Sequence, residues 1–138
     1  MCGIAGVIAP GHRNIISKLT DTMKHRGPDD EGFYHDESIS IGQRRLSIVD
    51  VAGGHQPIAN EEGHLQLVCN GEIYNSPELR RELEARGHVF KTHTDVETAL
   101  HLYEEHGMDC AKHLRGMFGI AIWNARDKTL FLARDHMG

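Results

Sequence analysis

Met1-Cys2-Gly3-Ile4-Ala5-Gly6-Val7-Ile8 opens the chain with a cysteine one position from its start, leading into a short apolar strand. Removal of Met1 would leave Cys2 as the first residue, with a free amine and a thiol on the same atom framework. An α-amine titrates near ~7.7–8.0 and a thiol near ~8.5, so one residue would carry both a base poised near neutral pH and a sulfur that attacks as thiolate. The structural alternative is a small buried hydrophobe at the head of a strand. Gly3 and Gly6 clear side chains from around it, for a ligand or for close packing. The residue after Met1 is not the glycine that myristoylation requires, and no long apolar segment precedes Cys2.

The chain as a whole has the size and composition of an ordinary globular domain. It has 138 residues, 39% hydrophobic and 25% charged, with a formal net charge of −5. No acidic or basic block points to nucleic acid or to an anionic membrane. Cys2, Cys69 and Cys110 are widely spaced without a C-x-x-C, so no disulfide framework or zinc knuckle is expected and a reducing cytoplasm fits. The 11 histidines are scattered and form no H-E-x-x-H, so no metal site is expected.

Beyond the first strand, Ile15, Ile16, Leu19 and Met23 recur at helical spacing. A polar turn follows at His25–Asp30, then short strands at Gly32–His35 and Ser38–Gly42. Arg44–Asp50 reads as an interrupted strand with a cationic pair at its solvated start, one of whose guanidinium forks could meet a carboxylate. Leu65–Cys69 is a clear strand running into Asn70-Gly71. That dipeptide is a strong hairpin-corner signal; equally, an Asn amide and an unencumbered Gly N–H can both address one developing negative oxygen. Ser76-Pro77 predicts a helix through Arg86 with Ser76 as cap, and His88–Thr92 a short strand. Thr94-Asp95-Val96-Glu97 has capping-box spacing before a helix that closes at Gly107. In that first turn Asp95 either serves the helix dipole or holds a substrate ammonium. A helical turn covers Met108–Leu114, and Met117–Trp123 with Thr129–Ala133 form a hairpin. Strands in clusters with helices grouped between them argue an α+β layered structure.

Five separated segments, Met1–Gly6, His25–Asp29, Arg45–Asp50, Asn70–Asn75 and Thr94–Glu97, together resemble the glutaminase domain of glutamine-hydrolysing asparagine synthetases, within the class II glutamine amidotransferases of the N-terminal-nucleophile hydrolase superfamily. Arg134-Asp135-His136-Met137-Gly138 is similar to a sixth family segment. The resemblance covers residues 1–138 and implies a four-layer αββα sandwich, which the family extends by further strands beyond Gly138; by that comparison the chain is expected to be truncated at its C-terminal side, the ATP- and magnesium-using synthetase domain lying outside it.

The same resemblance implies roles. Cys2 would attack the side-chain amide of L-glutamine, its amine relaying the proton, and Asn70 and Gly71 would donate to the oxyanion. Arg45 would grip the α-carboxylate and Asp95 the α-ammonium, with Leu46, Ser47, Ile48, Val49 and Glu72 completing the pocket. No cofactor or metal is implied within these residues. The ammonia would serve ATP-dependent conversion of aspartate to asparagine. A relative with another nitrogen acceptor, of the β-lactam-forming or polysaccharide-cluster kind, and a non-catalytic glutamine-binding domain are the alternatives. A homodimer is left open.

Overall fold

The computed structural model describes residues 2–50 and 52–138. Two antiparallel sheets lie face to face, with helices on both outer sides. The first sheet has the order β1 (Gly3–Val7), β3 (Ser40–Arg45), β2 (Asp30–His35), and the second β4 (Ile58–Ala59), β5 (Leu65–Ile73), β6 (Gly116–Asn124), β7 (Thr129–Arg134). α1 (His12–Thr22) packs on the first sheet, and α2 (Ser76–Ala85) and α3 (Glu97–His106) on the second. A 3-10 helix, Gly107–His113, leads from α3 into β6. The result is the four-layer α+β sandwich expected from the sequence.

The period-2 alternation of side chains in β5 and β6 builds both inner layers at once. Leu65, Leu67 and Cys69 join Phe118, Ile120 and Ile122 in the core under α2 and α3, alongside Leu79, Leu83 and Leu100. The intervening Val68, Ala121 and Trp123 meet Ile39 and Ile41 of the first sheet. Because both faces of β5 are covered, its first five residues are all buried, Gln66 among them. Shortening the fully buried Leu67 or Ile122 to Ala is expected to cost ~2–5 kcal/mol.

Several local expectations are corrected. Asn70-Gly71 is no hairpin corner: β5 runs through it, with Asn70 opposite Gly119 and Gly71 opposite Phe118. A Cβ on Gly71 would lie 2.2 Å from the Met117 carbonyl oxygen and 2.6 Å from the Phe118 Cα, so glycine is needed here for close strand approach, not for a turn. β3 ends at Arg45, and residues 46–50 form a loop. The paired Arg44 and Arg45 are buried, not a solvated strand end. Arg44 holds Asp21 and Glu31, each at 2.7 Å.

α1 turns His12, Ile16 and Thr20 inward, leaving Ile15 and Leu19 exposed. The cap of α2 is Asn75, whose side chain instead joins the His113 carbonyl and the Arg115 N–H, while Ser76 is already helical. His88–Thr92 is irregular. Thr94-x-x-Glu97 makes no capping box, since α3 starts at Glu97 and the Glu97 carboxylate accepts from the Lys91 and Thr92 N–H groups.

Candidate active site

Cys2 just before β1, the loop after β3 and the second half of β5 converge on a cavity of about 550 Å³. Its walls include Cys2, Arg45, Leu46, Ile48, Val49, Asn70, Gly71, Glu72 and Asp95. These residues, from four separate stretches of chain, thus share one opening. Ser47 does not line it. Its backbone N–H is held by Asp29 at 2.8 Å, and the residue borders a neighbouring hollow with Asp30, Ala52 and His55.

Cys2 sits half-buried at the mouth of β1, with Sγ 3.4 Å from the Leu46 N–H that donates to it. Arg26 Nε donates to the Cys2 carbonyl at 3.0 Å, fixing the backbone that carries the sulfur. The other two thiols are structural. Cys69 is buried and burial drives its pKa far up, out of the range of a nucleophile, and burial pushes Cys110 up to about 11.

Arg45 Nη2 donates to the Val49 carbonyl at 2.6 Å and the Asp50 carbonyl at 2.8 Å. The guanidinium therefore shapes the loop that walls the cavity. Gly54 makes room for it, since a Cβ there would stand 2.3 Å from Nη2. Asp50 in turn accepts from the His93 N–H at 2.8 Å, tying this loop to the approach of α3.

The ladder geometry decides where the Gly71 N–H points. In an antiparallel pair, alternate residues turn their N–H and C=O groups toward opposite neighbours. Phe118, opposite Gly71, directs its N–H to Asp135 Oδ2 at 2.9 Å and accepts from the Asp135 N–H at 3.0 Å, both on the β7 side. Gly71 consequently faces away from β6, onto the edge that β4 covers only as far as Leu67. The residues before and after it on that edge are satisfied by side chains: the Cys69 N–H by Gln56 Oε1 at 2.7 Å, and the Ile73 N–H by Asp95 Oδ2. Between them the Gly71 N–H has no protein acceptor among the described residues, and it opens on the cavity that Cys2 and Asn70 share.

Sequence reasoning missed Gln56, Gln43, Arg26 and Asp135 as parts of this site. Gln43 Nε2 donates to the Cys69 carbonyl at 2.7 Å, so two glutamines from different elements clamp one residue of β5. Asp135 folds the last residues against β6, where Arg134, Met137 and Gly138 form a further wall. Arg26 and Asp135 stood within recognised segments, but only the long-range backbone contacts give them work to do.

Comparison with known proteins bears on what the cavity does. A family described as "Glutamine amidotransferase domain" matches residues 1–138. "Asparagine synthetase [glutamine-hydrolyzing] 1" of Bacillus subtilis (strain 168) is 43% identical over 145 residues, taking in 100% of this chain and 23% of its own length. The protein of the same name in Arabidopsis thaliana is 38% identical over 143 residues, with 100% and 24% coverage. The chain thus spans about a quarter of the length of these relatives. Two solved structures share the fold: glutamine phosphoribosylpyrophosphate amidotransferase from B. subtilis (TM-score 0.56, 24% identity) and the allosteric regulatory enzyme of purine biosynthesis (TM-score 0.57, 26% identity), each matching 71% of this chain and 23% of its own.

Proposed function

Because the chain belongs to the glutamine amidotransferase domain family, we propose that this cavity hydrolyses the side-chain amide of L-glutamine through a thioester on Cys2. The observation that carries the reading is the lone outward N–H of Gly71 on the edge of β5, held between two neighbours already bonded to side chains. Cys2 passes its thiol proton to its own α-amine as Sγ attacks the carboxamide carbon, and the carbonyl oxygen becomes an oxyanion. The Gly71 N–H and the Asn70 side-chain NH₂ receive that charge; preorganised donors of this kind are worth ~10²–10³ each in rate. Collapse of the tetrahedral intermediate breaks the C–N bond and the leaving nitrogen takes a proton, supplied by the amine of Cys2 once Met1 is removed. Water then cleaves the thioester to glutamate and restores the thiol.

Substrate selection follows from charge at the far end. The remaining N–H groups of the Arg45 guanidinium suit the α-carboxylate, and the Asp95 carboxylate suits the α-ammonium. Asp95 has two oxygens and gives one to the Ile73 N–H, so the same residue would place the substrate and hold the β5 edge beside the reacting carbon. Ile48, Val49 and Glu72 close the remaining walls, and holding a zwitterion at both charged groups leaves the γ-amide within reach of sulfur.

The nitrogen acceptor is proposed from the relatives, whose names pair glutamine hydrolysis with asparagine formation. ATP and magnesium would act in a synthetase domain outside these residues, with ammonia passing to it in the cytoplasm. Among the described residues no helix is long and apolar enough to cross a membrane.

The decisive experiment measures glutamate released from glutamine by the chain and by its Cys2→Ala variant, with intact mass reporting whether Met1 is gone. Turnover that depends on Cys2 and on a free N-terminus supports the mechanism. Equal turnover in the variant removes the nucleophile assignment.

A further inference from the structure

Outside the cavity wall, four side chains from separate parts of the chain meet at one point. Glu61 lies in the turn after β4, His88 follows α2, and His101 and Glu104 share one face of α3 at i, i+3. Their donor atoms all lie within 4.8 Å of one another. His101 Nδ1 stands 2.8 Å from Glu104 Oε2 and 3.8 Å from Glu61 Oε2, while His88 Nδ1 stands 3.4 Å from Glu104 Oε2 and 3.7 Å from Glu61 Oε1. A tetrahedral ion with ligands at 2.0–2.2 Å separates them by ~3.4 Å, the middle of that range. We propose that Glu61, His88, His101 and Glu104 bind a zinc-type divalent transition ion that staples α3 to the loops beside it.

The surroundings are built as such a site requires. Each imidazole turns its second nitrogen to a further carboxylate: His88 Nε2 to Glu105 at 2.9 Å, and the fully buried His101 Nε2 toward Glu97 at 3.6 Å. A carboxylate behind a ligating histidine sets its tautomer and strengthens it as a ligand. Asn60 Nδ2 donates to Glu104 Oε1 at 2.7 Å, and the Val89 N–H to Glu61 Oε1 at 2.8 Å, so both carboxylates are aimed. His101 Nε2 is buried and lacks a hydrogen-bond partner among the described residues.

Charge also calls for a cation. Arg86 answers Glu105 at 2.8 Å, but no lysine or arginine among the described residues forms an ion pair with Glu61, Glu97 or Glu104. With four protein ligands and Phe90 set edge-on against His101 at 4.5 Å, the site is closed, and its use is structural, not catalytic.

The test titrates the untagged, chelator-treated chain with zinc chloride and, separately, with cobalt(II) chloride, whose visible absorption reports tetrahedral geometry. One equivalent is expected to bind, with a rise in Tm and a tetrahedral cobalt spectrum. His88→Gln and Glu61→Gln should abolish stoichiometric uptake while circular dichroism stays unchanged. Glu105→Gln should weaken affinity by roughly 10- to 100-fold, and Cys2→Ser should bind as the parent does. No uptake by the parent chain overturns the proposal, as does uptake that persists in both cluster variants or disappears in Cys2→Ser. If His88→Gln fails to fold, Glu61→Gln alone decides, since its side chain is 32% exposed and sits on a turn.

Discussion

The backbone N–H of Cys69 donates to Oε1 of Gln56 at 2.7 Å, closing the edge of β5 one pleat before Gly71. Gln56 is itself 5% exposed, so Gln56→Ala leaves a buried donor without an acceptor. The expected loss is ~1–3 kcal/mol, read as a lower denaturant midpoint with an unchanged slope, together with slower glutamine hydrolysis as the edge loosens.

Asn70 and Gly71 are adjacent but should fail differently. Asn70→Ala removes a donor that carries no bond among the described residues, so kcat is expected to fall ~10²–10³-fold with little change in Tm. Gly71→Ala drives a methyl group into the Met117 carbonyl and the Phe118 backbone. It should lose ~1–3 kcal/mol of stability as well as activity, and thermal melting beside steady-state kinetics separates the two.

Asp95 offers a test of substrate charge that spares the fold. Asp95→Asn keeps an oxygen for the Ile73 N–H but loses the negative charge facing the cavity. A hydrogen bond to a charged group is worth ~1.5–3 kcal/mol, so KM for glutamine should rise roughly 10- to 100-fold. Asp95→Ala should add a stability loss that the asparagine variant lacks.

Acid sensitivity has a local reporter. Asp36 is partly buried, which opposes its ionisation, but the Ser38 N–H, the Trp123 indole N–H and the Ile39 N–H outweigh this and hold its pKa below the usual value. Its folded pKa lies under the unfolded one near ~3.9, so its stabilisation is present above about pH 4 and is lost as pH falls through the folded value. Trp123 is the sole tryptophan and bonds Asp36 at 2.6 Å. Unfolding followed by its fluorescence should show a steeper acid loss in the parent than in Asp36→Asn.

The layered fold was legible because β5, β6 and the helices carry their own periodicities; Cys2, Arg45, Asn70, Gly71 and Asp95 were drawn to one cavity wall by their combination across segments, whereas Arg26, Gln56 and Asp135 were not, and Ser47 lies outside that wall. What misled were short local signals. Asn70-Gly71 has turn chemistry, but pairing with β6 along nine residues overrides it. Thr94-x-x-Glu97 has capping spacing, but Glu97 satisfies Lys91 and Thr92 instead. The α1 stripe misleads for another reason. The strands beneath it are rich in small residues, so Thr20 and His12 fit where Ile15 and Leu19 do not. The His88–His101 cluster left no trace in spacing, since its members approach only when α2 and α3 dock.

β4 is two residues long and pairs only with Leu67 and Gln66. Had it continued alongside its partner, a carbonyl would claim the amide at Gly71 and fill the space a carboxamide needs. On the proposed mechanism the brevity of that neighbour is therefore a requirement: extending it should yield a sturdier sheet that no longer releases glutamate.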